Sequence, residues 1–121
     1  MQSLGITDQG STADRYAMFA LLFDTERVQD LDRFLTDSIG ALIAYDQRRS
    51  TQLVATLTAY FSNAGSLTRT ASALHVHLNT LLKRLDRVAT VIGENWRAPD
   101  NALQLHVALR LHALRSETGS L

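Results

Sequence analysis

The chain contains no cysteine, which excludes disulfides, thiolate metal sites and cysteine nucleophiles. A single proline, Pro99, and six glycines in 121 residues leave few points where a helix must stop. No uninterrupted apolar run approaches the roughly twenty residues that span a bilayer, and no signal peptide opens the chain. That fits a cytoplasmic protein with no membrane contact. Net charge is also missing, since 12 basic residues face 12 acidic ones, so no overall field draws the protein to a polyanion. The halves differ, however. Residues 1–63 carry eight acids and five bases, and residues 64–121 carry four acids and seven bases, so any polyanion is expected to meet the second half. Catalytic signatures are lacking too: there is no G-x-S-x-G, no phosphate-cradling glycine loop and no Ser/His/Asp order. His75 and His77 are two apart, on different sides of a regular helix, and His106 and His112 have no carboxylate pattern beside them. The sequence therefore gives no reason to expect an enzyme, a metal or a cofactor.

What is present is helical periodicity almost throughout, enough for one compact all-α domain. Residues 1–12 are Gly/Ser-rich and read as a flexible lead-in. Residues 13–115 read as the domain, and 116–121 as a disordered tail. Tyr16, Phe19, Ala20 and Phe23 recur at helical spacing after Asp14. Asp24 or Thr25 is placed to cap a second helix with Val28, Leu31, Phe34 and Leu35 inward. Ile39, Leu42, Ile43 and Tyr45 follow, and Ser50 or Thr51 is placed to start a helix carrying Leu53, Val54, Leu57, Tyr60 and Phe61. Gly65 suits a left-handed stop, and Ser66 a cap for the next helix.

From residue 66 to 92 the spacing is that of a helix-turn-helix: a short helix from about Leu67 to Leu74, a corner at His75-Val76, and a longer helix from about His77 to Ile92. Two or three helices precede it. The short helix docks through Leu67, Ala71 and Leu74. In the second helix, Leu81, Leu85, Val88 and Ile92 read as the buried stripe. Thr80, Lys83, Arg84 and Arg87 read as the opposite arc, with Asn79 at its margin and His77 at its start; Asp86 adds one acid. Such side chains neutralise phosphates and read base edges, although a merely solvated basic face has the same composition. After Gly93, Trp96 reads as an anchor and Asp100 as a cap for a last helix. That helix has Leu103, Val107, Leu111 and Leu114 on one side and Leu105 and Leu109 on the other, a candidate subunit interface.

The stretch from Ser66 to Leu85 resembles the helix-turn-helix signature of the PucR/CdaR family of bacterial transcription regulators, with His77, Asn79, Thr80, Arg84 and Leu85 matching its pattern. The resemblance covers about residues 45–112, and more distantly the segment is similar to the helix-turn-helix of the factor for inversion stimulation. It implies sequence-specific binding of double-stranded DNA by a homodimer, with the helix from His77 in the major groove. Thr68 and Arg69 would hold the first helix on the backbone, His77, Asn79 and Thr80 would lie nearest the bases, and Lys83, Arg84 and Arg87 would hold phosphates. It also implies an upstream sensor domain that this chain lacks. Three positions depart from the pattern: Leu78 stands for the usual arginine, Leu82 for a polar or basic residue, and Lys83 for an aromatic. Leu78 and Leu82 are expected to pack on a partner, and in the alternative reading they turn the same fold into a protein-interaction module. His75 replaces a glycine frequent at the corner.

Overall fold

In a computed structural model of the chain, residues 25–117 are described; the Gly/Ser-rich lead-in, the helix expected around Tyr16–Phe23 and residues 118–121 lie outside them. Five α-helices and a 3-10 turn occupy the described residues, without a strand: α1 (Thr25–Arg49), α2 (Leu53–Ser62), α3 (Leu67–Leu74), α4 (Leu78–Ile92), the 3-10 turn Glu94–Arg97 and α5 (Pro99–Glu117). Among the described residues, two helices, α1 and α2, precede the helix-turn-helix. The apolar groups around Leu31 and around Ile39 belong to one continuous helix, α1, rather than to two segments.

One core serves all five helices. Ile39 and Leu42 of α1, Leu57 of α2, Leu81 and Val88 of α4 and Ala108 of α5 are fully enclosed, with Leu35, Leu53, Leu85, Trp96 and Leu109 around them. Each fully buried Leu or Ile contributes about 1.5–3 kcal/mol by leaving water, which is why α3, too short to persist alone, holds its place. Trp96 anchors the 3-10 turn as expected. Its ring meets Tyr60 edge-on at 5.5 Å between centroids, and Arg97 lies 4.7 Å over its face.

The α1–α2 corner departs from the sequence expectation. Neither Ser50 nor Thr51 caps α2: Ser50 adopts a left-handed φ of 54°, and the residue before α2, Gln52, makes no side-chain cap bond. The cap comes instead from Asp46, one turn before the end of α1, whose carboxylate accepts the backbone N–H of Leu53 at 2.8 Å and of Val54 at 3.0 Å. The Thr51 hydroxyl donates to the same carboxylate. A negative charge on two unpaired amides at a helix N-terminus is favoured by hydrogen bonding and by the helix dipole together.

At the end of α2 the left-handed residue is Ala64, φ 53°, with Gly65 following at φ 78°, so the stop is shared rather than Gly65's alone. Gly65 N–H reaches back to Tyr60 O at 2.9 Å and Ala64 N–H to Phe61 O at 3.1 Å, the paired bonds of a Schellman ending. Asp100 is not the cap of α5. Pro99 occupies its first position, where no amide is lost, and Asp100 sits in the first turn, favourable to the dipole. Ser116 and Glu117, read as tail, are the last residues of α5. An ion pair from Arg115 to Asp32 ties the end of α5 to α1.

His106 stacks on Phe61 with centroids 5.0 Å apart, and burial, then the neighbouring Arg110, lowers its pKa from the usual 6.5; burial and Arg115 do the same to His112. A histidine depressed in the folded state takes up its proton first in the unfolded chain. Its stabilising contribution is whole above pH 6.5 and is lost as the pH falls through the lower, folded-state value. The denaturant midpoint is therefore expected to fall between about pH 7 and 5, and the His106→Phe/His112→Leu pair to flatten that fall; an unchanged slope would show that other groups carry it.

Candidate nucleic-acid interface

Ser66 opens α3 as expected: its Oγ accepts Arg69 N–H at 3.2 Å. Within α3, Ala71 is buried and Leu67 and Leu74 are half-buried against the core. Sequence reasoning missed Thr70, which is fully enclosed. Its hydroxyl donates to Ser66 O at 2.6 Å, a bond within its own helix that lets a polar side chain lie in the packed face. Only the alternative of reading residue 70 as a neighbour of Ala71 and Leu67 on the helix surface would have found it.

The corner turns at His75, whose φ of 59° and ψ of 43° are left-handed. Val76 N–H bonds Ala71 O at 3.0 Å and His75 N–H bonds Ser72 O at 3.1 Å, so α3 also closes with a Schellman pair. A side chain other than glycine costs about 1 kcal/mol in this conformation, and histidine is among the residues that tolerate it. His77 is not the first helical residue but the residue before α4, extended at φ −67° and ψ 152°; Leu78 begins the helix.

Along α4, Leu81, Leu85 and Val88 are buried and Ile92 is half-buried. Seven of the eight residues expected at the interface are exposed: Thr68 and Arg69 on α3, His77 at the corner, and Asn79, Thr80, Lys83 and Arg87 on α4. Among the described residues, no ion pair engages Arg69, Lys83 or Arg87. Their charge is directed at solvent.

Arg84 is the exception. The sequence reading put it on the outer arc with Thr80, Lys83 and Arg87, but it is half-buried, and its Nη1 donates to Thr56 Oγ1 at 3.3 Å. The reason is positional. Arg84 lies three residues after Leu81 and four before Val88, spacings that set it along the flank of the buried stripe rather than opposite it. Thr56, fully enclosed on α2, donates its hydroxyl to Gln52 O at 2.7 Å and is left with acceptor capacity that the guanidinium fills. Arg84 thus fixes α4 against α2. Arg84→Ala is expected to lower stability by about 1–2 kcal/mol through lost packing and the lost bond, whereas Lys83→Ala stays within about 0.5 kcal/mol. Thermal unfolding of the two variants checks this; equal midpoints would remove the structural role.

Leu78 and Leu82 lie on the other flank and are 45% and 38% exposed, so no part of the described chain covers them fully. Among the described residues, no three His, Cys, Asp or Glu side chains cluster as metal ligands, and no helix is long and apolar enough to cross a membrane.

Two helices meeting at a left-handed corner, the second showing cations with no ion-pair partner among the described residues beside an amide and a hydroxyl, define a helix-turn-helix domain of the class found in DNA-binding transcription regulators. Residues 53–111 match the family described as the PucR C-terminal helix-turn-helix domain, and the chain belongs to that family. It is 32% identical over 89 residues to the purine catabolism regulatory protein of Bacillus subtilis (strain 168), an alignment covering 74% of this chain and 17% of that protein. The chain thus spans under a fifth of the length of that relative. No solved structure matches it, so the more distant likeness to the factor for inversion stimulation rests on sequence alone.

Proposed function

We propose that this chain is the sequence-specific DNA-binding module of a bacterial, cytoplasmic transcription regulator that acts as a homodimer and, in its full form, carries an upstream sensor domain. The observation that carries the reading is the exposed face of the helix-turn-helix: Arg69, Lys83 and Arg87, with no ion-pair partner among the described residues, next to Asn79 and Thr80. In this reading α4 enters the major groove by its N-terminal end. Asn79 is suited to adenine, whose N6 and N7 present one donor and one acceptor to a side-chain amide. His77 and Thr80 lie beside it, Thr68 and Arg69 seat α3 on the backbone, and Lys83 and Arg87 neutralise phosphates. Arg84, held by Thr56 through one nitrogen, sets the tilt of α4 and reaches phosphate only with its remaining donors.

Selection from randomised duplexes at about 50 mM salt tests the proposal, because low salt favours every phosphate contact. Enrichment of a shared motif supports it, and sequence-independent retention would reduce the domain to a non-specific binder. A second reading has the exposure of Leu78 and Leu82 behind it. If those side chains meet a protein, the fold is an interaction module, and the folded chain will bind no duplex even at the lowest salt.

A further inference from the structure

The most exposed large apolar side chain among the described residues is not on the recognition helix but on α5: Leu103, 64% exposed, followed one turn later by Val107 at 40%. Elsewhere α5 is well covered, with Leu105, Ala108, Leu109, Leu111 and Leu114 all buried. The open patch is therefore confined to the first half of the helix. Asp100, Leu103, Val107 and Arg110 follow one another at intervals of three, four and three residues, the spacing that lines up a single seam on a helix. Asp100 and Arg110 are both exposed, and no ion pair among the described residues involves either.

The order of these four side chains is self-complementary. Leu103 and Val107 lie two residues to either side of Leu105, and Asp100 and Arg110 lie five residues to either side. A two-fold axis crossing the helix at that level turns the seam onto itself, apolar on apolar and acid on base. We propose that α5 pairs antiparallel with α5 of a second copy of this chain, Leu103 packing on the partner's Val107 and Asp100 facing the partner's Arg110, each contact made twice. A partner of another kind has no need of opposite charges at matched distances about one centre; an isologous contact does, since one surface must satisfy itself. The two apolar layers exclude water, and the charges at the rim select the antiparallel register, because a parallel arrangement sets Asp100 against Asp100 and Arg110 against Arg110.

This contact does not involve DNA, so its failure leaves the groove-binding reading standing, and the reverse holds as well. Sedimentation of the whole chain from about 10 µM to 1 mM, a range suited to a seam of two layers, is expected to show a monomer–dimer equilibrium. Leu103→Glu is expected to abolish the dimer, and circular dichroism establishes that it remains folded. Asp100→Arg and Arg110→Asp, each replacing two attractions by two repulsions, are expected to weaken association about tenfold, and the combined Asp100→Arg/Arg110→Asp chain to recover most of it. A monomer at every concentration overturns the proposal. So does a dimer that tolerates Leu103→Glu, or single reversals that the combined exchange fails to rescue.

Discussion

Replacing Lys83 and Arg87 by alanine together is expected to flatten the salt dependence of duplex binding by about two units of logarithmic slope, since each phosphate neutralised contributes about 0.9. Between about 50 and 200 mM salt, two contacts amount to roughly a tenfold difference in how far affinity falls. The variant is also expected to bind more weakly at low salt while unfolding at the same temperature, because both side chains are exposed and form no ion pair among the described residues. Asn79→Ala, in contrast, is expected to keep the slope and lose about 1–3 kcal/mol of preference at one base pair. Fluorescence anisotropy across the salt series separates the outcomes. An unchanged slope in the Lys83/Arg87 variant would falsify the placement of the outer arc of α4 against the phosphate backbone.

The second large effect is one of stability. Asp46→Ala removes the acceptor of two backbone amides and one hydroxyl at a half-buried corner, and is expected to cost about 2–3 kcal/mol, from charge-assisted bonds lost and donors left without a partner. For a domain of this size that lowers Tm by roughly 10–20 °C. Asp46→Asn keeps an acceptor oxygen and is expected to retain more than half of the difference, as asparagine is a good cap in its own right. Calorimetry of the three chains decides the matter; a loss under about 0.5 kcal/mol for the alanine variant would mean that water replaces the carboxylate at little cost.

How far these features were visible beforehand depended on whether their cause was local. The ends of α3, the cap at Ser66, the left-handed corner and the buried stripe of α4 all follow from side chains within one or two turns of each other, and each stood in the sequence as a pattern. Asp46 acts across a turn whose shape is set by Ser50 in the left-handed region, and a residue inside one helix that caps the next leaves no periodic mark. Arg84 was misplaced for a different reason. It was grouped with the outer arc at helical intervals, although its spacing from Leu81 and Val88 sets it on the flank of the buried stripe, and its acceptor, the Thr56 hydroxyl, is 28 residues away in the chain. Thr70 was not singled out at all, since a polar residue joins a buried face only when its hydroxyl is paired inside its own helix. For Arg84 the partner escaped the sequence because residues distant in the chain are brought together only by the packing of several helices. The seven exposed residues expected at the interface needed no such partner to stand on the surface, so their exposure follows from local helix geometry.

Three of the turns between helices rest on residues other than glycine held at positive φ: Ser50, Ala64 and His75. Each conformation is disfavoured for the free chain by about 1 kcal/mol, so the corners do not steer the helices; the helices impose the corners. The helix-turn-helix is accordingly not a portable unit. Cut out as a peptide of residues 66–92, it loses Ile39, Leu42 and Leu57 from behind α4 and the Thr56 hydroxyl from Arg84, and with them whatever outweighs the strain at His75. Grafted onto another scaffold, the same residues would carry the chemistry of the surface without the angle that presents it.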